Sequence, residues 1–324
     1  MKIRIIQLLI FIRMNMSASH LLRYITIISI PLTMAACAGG GGGGSSSSSG
    51  GGVVITPFTS WAAITPNSTV QASGGSAGAT YTADPSTGQV LTISSASQAS
   101  SGATVNFTYG PTSLTGIAIQ SAQGASASLN TNAGDVIATT SSGSVLYGYN
   151  AARTTTLLAP SVDYFGWNYQ SYGVWVTGQG TGSGTVGTAS VGSITPTTGI
   201  PATGTGAFSG NSIGIFVNSS GQAFYTVASM TANANFATQA VSFATSGTTS
   251  VNLATGVSAS APTLNLSSNM TYTGGTLSGA ITSGSGMSGS ITGKFYGPTA
   301  QEVGGTYALS GGGSAMFGGF GGKR

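Results

Sequence analysis

Residues 287–307, MSGSITGKFYGPTAQEVGGTY, decide the fold of this chain. From Met287 to Phe295, apolar residues or glycine alternate with Ser, Thr and Lys. A period of two residues is typical of a strand with one buried and one polar face. Gly297-Pro298 then predicts a turn, and Gly304-Gly305 lets the chain re-enter a tight strand. The stretch therefore predicts two successive antiparallel strands.

The same signals recur along the chain from Val53 onward, where short runs of β-branched, aromatic and Thr residues lie between Gly, Ser and Asn. Glu, Lys and Arg, which favour helices, are almost missing. The predicted fold class is therefore all-β. In the second half we expect strands at 172–176, 203–208, 212–217, 222–234, 239–244, 262–266, 270–282, 287–296 and 303–310. About eight strands with short turns predict a C-terminal eight-stranded antiparallel barrel, preceded by a smaller β-rich domain.

Charge and composition exclude several classes of function. Of 324 residues, 8 are Lys or Arg and 4 are Asp or Glu. Half of the cations precede Cys37, so the remainder of the chain is formally neutral and carries no basic surface for nucleic acid. The only histidine is His20, in the leader, which excludes a His-based triad or metal site after processing. We expect no catalytic residues, no metal site and no cofactor, and therefore no enzyme.

The N-terminal segment reads as a lipoprotein signal. Residues 20–37, HLLRYITIISIPLTMAAC, combine a cation, a short apolar run and small residues before Cys37. The stretch Met34-Ala35-Ala36-Cys37 resembles the bacterial lipobox, which implies diacylation of Cys37, including palmitate. The alternative is an ordinary signal peptide with an incidental cysteine. We expect a signal peptide at 1–36 and a lipidated Gly/Ser-rich tether at 37–52. Met14 and Met16 are alternative starts.

The segment Ile291–Tyr307 also resembles the closing hairpin of the barrel domain in transferrin-binding protein B and related surface lipoproteins, where F-Y-G-P-x-A-x-E-x-G-G is a hallmark. Tyr172-Gly173-Val174-Trp175 is similar to the first barrel strand of that family, and Pro201–Gly210 is similar to a further strand. The resemblance implies a barrel domain at 161–324 and, by position, a handle-like domain at 53–160. The boundary between them could lie anywhere from 150 to 170.

The resemblance implies a lipid-anchored surface protein of the outer membrane that captures a protein or solute without transforming it. It implies a surface-lipoprotein assembly modulator and an outer-membrane receptor as partners. One form of this function is the capture of iron or of a haem protein. Haem itself would need Tyr or Met ligands here, because no histidine follows His20. The alternative function is a structural or adhesive surface coat without a ligand pocket. A third alternative, a hydrolase, would need a matched pair among the four acids.

Two groups of residues are candidate site residues. The motif residues are expected to be structural, with Glu302 accepting backbone amides within its turn; they are Phe295, Tyr296, Gly297, Pro298, Glu302, Gly304 and Gly305. The densest aromatic cluster supplies the candidate ligand-binding residues Trp167, Tyr169, Tyr172 and Trp175. These rings could form a recognition patch or could pack the interface between the two halves or the barrel interior.

Overall fold

The computed structural model describes residues 54–324. The predicted signal peptide, the lipidation site Cys37 and the tether lie outside the described residues. The described chain is built almost entirely of strands, which confirms the all-β prediction. Its α-helix, α1 at Val162–Phe165, is a single turn, and short 3-10 turns lie at Trp61–Ala63, Thr131–Ala133, Thr197–Gly199 and Pro262–Leu264. Among these residues no helix is long and apolar enough to span a membrane.

The first sheet has eleven strands and the second has nine. Its strands are β1 (Ile55–Pro57), β2 (Thr69–Ala83), β3 (Val90–Ile93), β4 (Ser97–Tyr109), β5 (Leu114–Gln120), β6 (Ser126–Asn130), β7 (Val136–Thr139), β8 (Val145–Tyr149), β9 (Thr156–Pro160), β10 (Gln170–Val176) and β11 (Ser183–Gly192).

This sheet curls on itself without closing. The strand order is β6-β5-β4-β2-β11-β10-β9-β8-β7, and β1 and β3 pair only with β2. The two end strands, β6 and β7, are joined by one 3-10 turn and the carboxylate of Asp135, which accepts a 2.8 Å hydrogen bond from the Asn130 N–H. Leu129 of β6 packs against Gly148 of β8 across the gap. The curled sheet encloses its own apolar core, which includes Phe107, Ile117 and Trp175.

The second sheet is the predicted C-terminal eight-stranded antiparallel barrel, and it is closed. Its strands are β12 (Thr205–Val217), β13 (Ala223–Asn235), β14 (Ala240–Asn252), β15 (Ser258–Ser260), β16 (Leu266–Thr273), β17 (Thr276–Ser283), β18 (Ser288–Tyr296), β19 (Glu302–Gly311) and β20 (Ser314–Lys323). β12 pairs with both β13 and β20, and β14 pairs with both β13 and β16. The circle runs through eight strands, and β15 pairs only with β14 from outside it.

Alternate residues of the barrel strands point inward and fill the barrel interior. In β18, Ile291 and Phe295 are 0% and 1% exposed and belong to the barrel core, while Ser288 and Ser290 face solvent. Each buried Leu, Ile or Phe of this kind contributes about 1.5–3 kcal/mol through removal of apolar surface from water. Burial of one face of every strand therefore holds the barrel together without charged side chains.

The expectation that Tyr172–Trp175 opens the barrel is wrong. These residues lie in β10, which pairs with β9 and β11 of the first sheet. The two faces of β10 are both buried: Trp175 points into the first domain, and Tyr172 and Val174 point at the barrel. Because both faces of β10 are buried, its residue pattern does not indicate which of the two sheets it joins. The chain passes from the first sheet to the second between Gly192 and Thr205. We propose the domain boundary there rather than at residue 160.

The two domains share an apolar interface. Val174 and Val176 of β10 and Val186 of β11 pack against the outer faces of β12 and β20, where Ile213, Ile215 and Phe317 are all 2% exposed or less. Hydrogen bonds cross the same interface, from Tyr172 Oη to Asn211 Oδ1 at 2.7 Å and between Thr156 Oγ1 and Tyr225 Oη at 3.0 Å. The apolar contact and the hydrogen bonds together hold the domains as one body.

Candidate binding surface

The Phe295-Tyr296 pair stands where the barrel meets the first domain. The Phe295 ring lies inside the barrel and meets the Tyr272 ring edge-on at 5.3 Å. Tyr296 points the other way, and its hydroxyl lies 3.1 Å from Ser190 Oγ of β11. Successive strand residues point to opposite faces of a sheet. One ring therefore fills the barrel while its neighbour ties the barrel to the first sheet.

The turn after these rings holds the linker between the domains. Gly297 adopts φ +83°, a left-handed conformation that favours glycine, and its N–H donates to the Ser193 carbonyl at 2.8 Å. Thr195 returns two bonds, from its N–H to the Phe295 carbonyl at 2.9 Å and from its hydroxyl to the Gly297 carbonyl at 2.6 Å. Pro298 follows, where φ is fixed. The predicted turn is present, and it aligns the chain that passes from one domain to the other.

Glu302 reaches across the interface. Its Oε1 accepts a 2.6 Å hydrogen bond from the Asn168 N–H, and its Oε2 accepts a 3.0 Å bond from the Tyr169 N–H. The expected chemistry, a carboxylate accepting backbone amides, is present. The donors lie immediately before β10 rather than in the turn of Glu302 itself. Glu302 is 3% exposed, so it acts as a buried clamp between the barrel and the first sheet.

The surroundings of Glu302 change its acidity. Burial raises the pKa of the Glu302 carboxyl above its ordinary value, because the charged form loses hydration. The backbone N–H groups of Asn168, Tyr169 and Gln170 and the charge of Lys323 oppose this change. Lys323 itself donates to the Gly166 carbonyl at 3.2 Å. The net direction is upward, so desolvation outweighs the hydrogen bonds.

Two glycines of the motif make room for neighbouring side chains. A Cβ on Gly304 would lie 2.6 Å from Gln170 Oε1, and a Cβ on Gly305 would lie 2.6 Å from the Phe320 ring. Both distances are too short for any side chain. Gln170 is fully buried, and its amide has no hydrogen-bond partner within residues 54–324. The motif glycines therefore serve packing at the interface.

Three of the four candidate aromatic residues are buried. Trp167, Tyr172 and Trp175 are 4%, 2% and 1% exposed. Trp167 stacks with Phe165 at 5.3 Å and lies 5.9 Å from the Tyr172 ring in the domain interface, whereas Trp175 lies in the core of the first domain. A buried ring offers no surface to a partner. Their burial supports the packing interpretation that the sequence left open.

Tyr169, the fourth candidate, is half-buried beside the FYGP turn. Its ring lies against Gly297, where a Cβ would approach the ring to 2.6 Å. Its N–H donates to Glu302 and its carbonyl accepts from the Ser193 N–H at 2.8 Å. Both backbone groups of Tyr169 are thus used in joining the domains, and its ring covers the turn.

A surface that the sequence reasoning missed lies on the outer face of the first sheet. Tyr147 and Tyr149 of β8 are half-buried, and their rings stack at 6.5 Å with an interplanar angle of 20°. Across the sheet they face half-buried Ala138 and Val136 of β7. The exposed Arg153 places its guanidinium 4.4 Å from the centre of the Tyr149 ring. We call these five residues the tyrosine platform.

The loop that carries Arg153 is held firmly. Arg153 has φ 59°, which only a few per cent of non-glycine residues adopt. Asn150 Oδ1 accepts from the N–H groups of Thr154 and Thr155 at 2.8 and 2.9 Å, and Asp135 Oδ1 accepts from the Ala151 N–H at 2.9 Å. These bonds fix an unfavourable backbone conformation. The guanidinium is therefore pre-positioned over the tyrosine ring before any partner arrives.

The platform combines the residue types that dominate binding energy at protein interfaces, Tyr and Arg. Arg153 is the only cation between residues 54 and 192, and it has no ion-pair partner among the described residues. In residues 144–150, SVLYGYN, the period of two that is typical of a strand places Tyr147 and Tyr149 on one face. The position of Arg153 over that face is not visible in the sequence, because it depends on how the hairpin between β8 and β9 folds back. No group of three or more His, Cys, Asp or Glu within the described part could hold a metal ion.

Comparison with known proteins concerns mainly the barrel. Residues 200–324 match the family model of the C-lobe and N-lobe beta barrels of Tf-binding protein B. A sequence search of curated proteins finds no match. Among solved structures, a transferrin-binding protein B mutant from Haemophilus parasuis is similar with 12% identity and a TM-score of 0.42, over 79% of this chain and 76% of that chain.

Two further structures are similar. Isotype 1 transferrin-binding protein B from serogroup B Neisseria meningitidis aligns with 15% identity and a TM-score of 0.40, over 70% of this chain and 52% of that chain. The N-lobe domain of lactoferrin-binding protein B from Moraxella bovis aligns with 11% identity and a TM-score of 0.32, over 48% and 75%. The assignment rests on the family model, which covers the whole closed barrel from β12 to β20. Residues 200–324 of this chain are therefore similar to the barrel domains of transferrin-binding protein B.

Proposed function

We propose that the protein is a surface lipoprotein of the outer membrane that binds a partner protein without chemical turnover. The observation that carries the proposal is the closed barrel of residues 200–324, which matches the barrels of Tf-binding protein B. The lipobox-like sequence ending at Cys37 supports a lipid anchor. An assembly modulator would move the anchored protein to the cell surface, and an outer-membrane receptor would accept the captured cargo.

The tyrosine platform is the docking surface that we propose for the partner. It presents two stacked rings and their aliphatic neighbours on strands β7 and β8, and one unpaired cation on the loop after β8. Such a surface fits a protein that offers an apolar contact next to a carboxylate, since the carboxylate can take up the free guanidinium donors of Arg153. This surface favours capture over a passive coat, which needs no anchor residues.

Three of the four described acids accept backbone amides, which supports a binding role rather than hydrolysis. Asp84 accepts from the Ser86 N–H at 2.7 Å, Asp135 from the N–H groups of Asn130 and Ala151, and Glu302 from those of Asn168 and Tyr169. Carboxylates occupied by backbone amides hold loops and interfaces in place. A glycosidase-type pair needs two carboxylates that flank one substrate bond.

The relatives named above bind transferrin or lactoferrin by their names, so an iron-carrying glycoprotein is the first partner to test. The experiment expresses the full chain with an assembly modulator in bacteria and exposes intact cells to fluorescent transferrin, lactoferrin and haemoglobin. We expect one of these proteins to label cells that display the wild-type chain and to label cells that display Arg153→Glu much less. Equal labelling of cells with and without the chain, for all three probes, would contradict the proposal.

A further inference from the structure

A groove crosses the outer face of the barrel, in the other domain from the tyrosine platform. It spans β13, β14, β16 and β17 and has a volume of about 410 Å³. Two rows of exposed residues, one from each of the four strands in turn, form its walls. The first row is Asn233, Ser242, Asn269 and Ala280, and the second is Thr231, Ala244, Ser267 and Thr282. We call these eight residues the barrel groove.

The chemistry of the barrel groove is uniform. Its exposed members are two Asn, two Ser, two Thr and two Ala, and the two other lining residues, Phe243 and Ser268, are buried beneath them. None of the ten lining residues is charged, in a chain of which only 4% of the residues are charged. The groove therefore offers hydroxyl and amide groups and no electrostatic attraction for an ion.

The polar groups of the groove have hydrogen-bonding capacity to spare. The side-chain amides of Asn233 and Asn269 form no hydrogen bond within residues 54–324. Ser267 and Thr282 make only a long contact of 3.4 Å with each other. Each free amide offers two donors and one acceptor, and each hydroxyl offers one donor and two lone pairs. The groove thus combines donors and acceptors at neighbouring positions.

The strands fix these groups in space. Ser242 pairs with Asn233 on one side and with Asn269 on the other, so the two amides flank the hydroxyl in one cross-strand row. Adjacent strands lie about 4.8 Å apart. The next residues inward, Phe243 and Met270, are 2% and 1% exposed in the barrel core, which holds the backbone rigid. A rigid array needs little ordering when a ligand binds.

We propose that the barrel groove binds a neutral oligosaccharide. A sugar chain presents closely spaced hydroxyl groups that both donate and accept, which matches the Asn, Ser and Thr side chains of the two rows. The absence of charge disfavours phosphate, sulfate and acidic glycans. The absence of exposed aromatic residues and Arg disfavours a protein hot spot. This inference goes beyond the proposed function and does not depend on it.

The test uses the full detergent-solubilised chain and isothermal titration calorimetry. The neutral probes are maltoheptaose, cellohexaose and chitotriose, and a heparin hexasaccharide is the charged probe. We expect at least one neutral probe to bind and the heparin fragment to show no binding. The double variant Asn233→Ala/Asn269→Ala should weaken binding by about tenfold or more, because two sets of hydrogen bonds are lost. Asn132→Ala, an exposed residue of the first domain, is the matched control and should leave the affinity unchanged.

A second variant keeps the result clear. Ala244 is exposed on the groove wall, so Ala244→Tyr should fill the groove and abolish binding without disturbing the core. Circular dichroism of each variant reports that the barrel stays folded. Failure of all three neutral probes, binding of the heparin fragment alone, or binding that survives both groove variants would overturn the proposal.

Discussion

Glu302 Oε1 accepts a 2.6 Å hydrogen bond from the N–H of Asn168, a residue 134 positions earlier in the chain. The bond joins the start of β19 in the barrel to the residues just before β10 of the first sheet, and Tyr169 adds a second bond to the same carboxylate. One buried side chain of the barrel therefore fixes the position of a strand in the other domain.

Removing that carboxylate should weaken the whole protein. In Glu302→Ala, a buried carboxylate is removed and two half-buried N–H groups lose their acceptor, so we expect the free energy of unfolding to fall by about 2–4 kcal/mol. Urea unfolding of the full chain gives this value. Asp163→Ala is the control, since Asp163 is exposed on α1, and it should change stability by no more than about 0.5 kcal/mol. Equal effects of the two substitutions would argue against the clamp.

The raised pKa of Glu302 predicts a pH dependence of stability with a definite sign. Because the folded state binds the Glu302 proton more tightly than the unfolded chain does, the contribution of this group is fully present below its ordinary pKa of 4.5. It is lost as the pH rises through the folded value. Glu302→Gln cannot titrate, so the difference in unfolding free energy between wild type and variant should shift against the wild type as the pH rises. A shift in the opposite direction would show that the pKa is lowered.

Substitution of the buried Trp175 should affect stability, whereas substitution of the half-buried Tyr147 should affect binding. Trp175→Ala leaves a large cavity in the first domain and should reduce the free energy of unfolding by about 3–5 kcal/mol. Tyr147→Ala should cost no more than about 1 kcal/mol of stability, yet lower affinity for the partner. Thermal unfolding and a binding assay on both variants separate these effects. A stable Trp175→Ala protein that has lost only its affinity would restore the recognition-patch interpretation of the aromatic cluster.

Lipidation is the prediction that rests on sequence alone. Cells that express the full chain should incorporate an alkyne analogue of palmitate into the protein, and the label should disappear in Cys37→Ser. The variant should also leave the membrane fraction, because the acyl chains supply about 0.8 kcal/mol of binding per buried methylene. The matched control is Ser45→Cys placed in the Cys37→Ser background, which moves the thiol away from the lipobox. Labelling that persists in Cys37→Ser would place the modification elsewhere.

Local patterns predict the alternation within the barrel strands, because alternation of apolar and polar residues is a local property. They place the strand ends less well: β12 is predicted as two strands, 203–208 and 212–217, and the predicted strand 270–282 spans the turn between β16 and β17. Ile291 and Phe295 point into the barrel as their spacing indicates. The pattern missed β20, whose run of glycines resembles a loop. In the structure those glycines leave space for large side chains of other strands: a Cβ on Gly319 would lie 2.5 Å from the Tyr172 ring, and Gly321 lies against the Gln170 amide. Glycine in this strand reflects the size of its neighbours.

Strand pairing between distant segments could not be predicted from local patterns. β10 joins the sheet of the first half of the chain, although its residues Tyr172–Trp175 resemble a barrel strand. The donors to Glu302 were misplaced for the same reason, since a carboxylate in a turn gives no sign of a partner more than a hundred residues away. The platform also depends on a hairpin that brings Arg153 back over Tyr149.

The most direct measurement is the equilibrium affinity of the full, detergent-solubilised chain for purified transferrin and lactoferrin, by biolayer interferometry at low and high salt. We predict saturable binding that weakens little with salt, because the chain after Cys37 is formally neutral, and that falls by about tenfold or more in Tyr149→Ala. Absence of saturable binding to both proteins, or an affinity that Tyr149→Ala leaves unchanged, would contradict capture through the tyrosine platform.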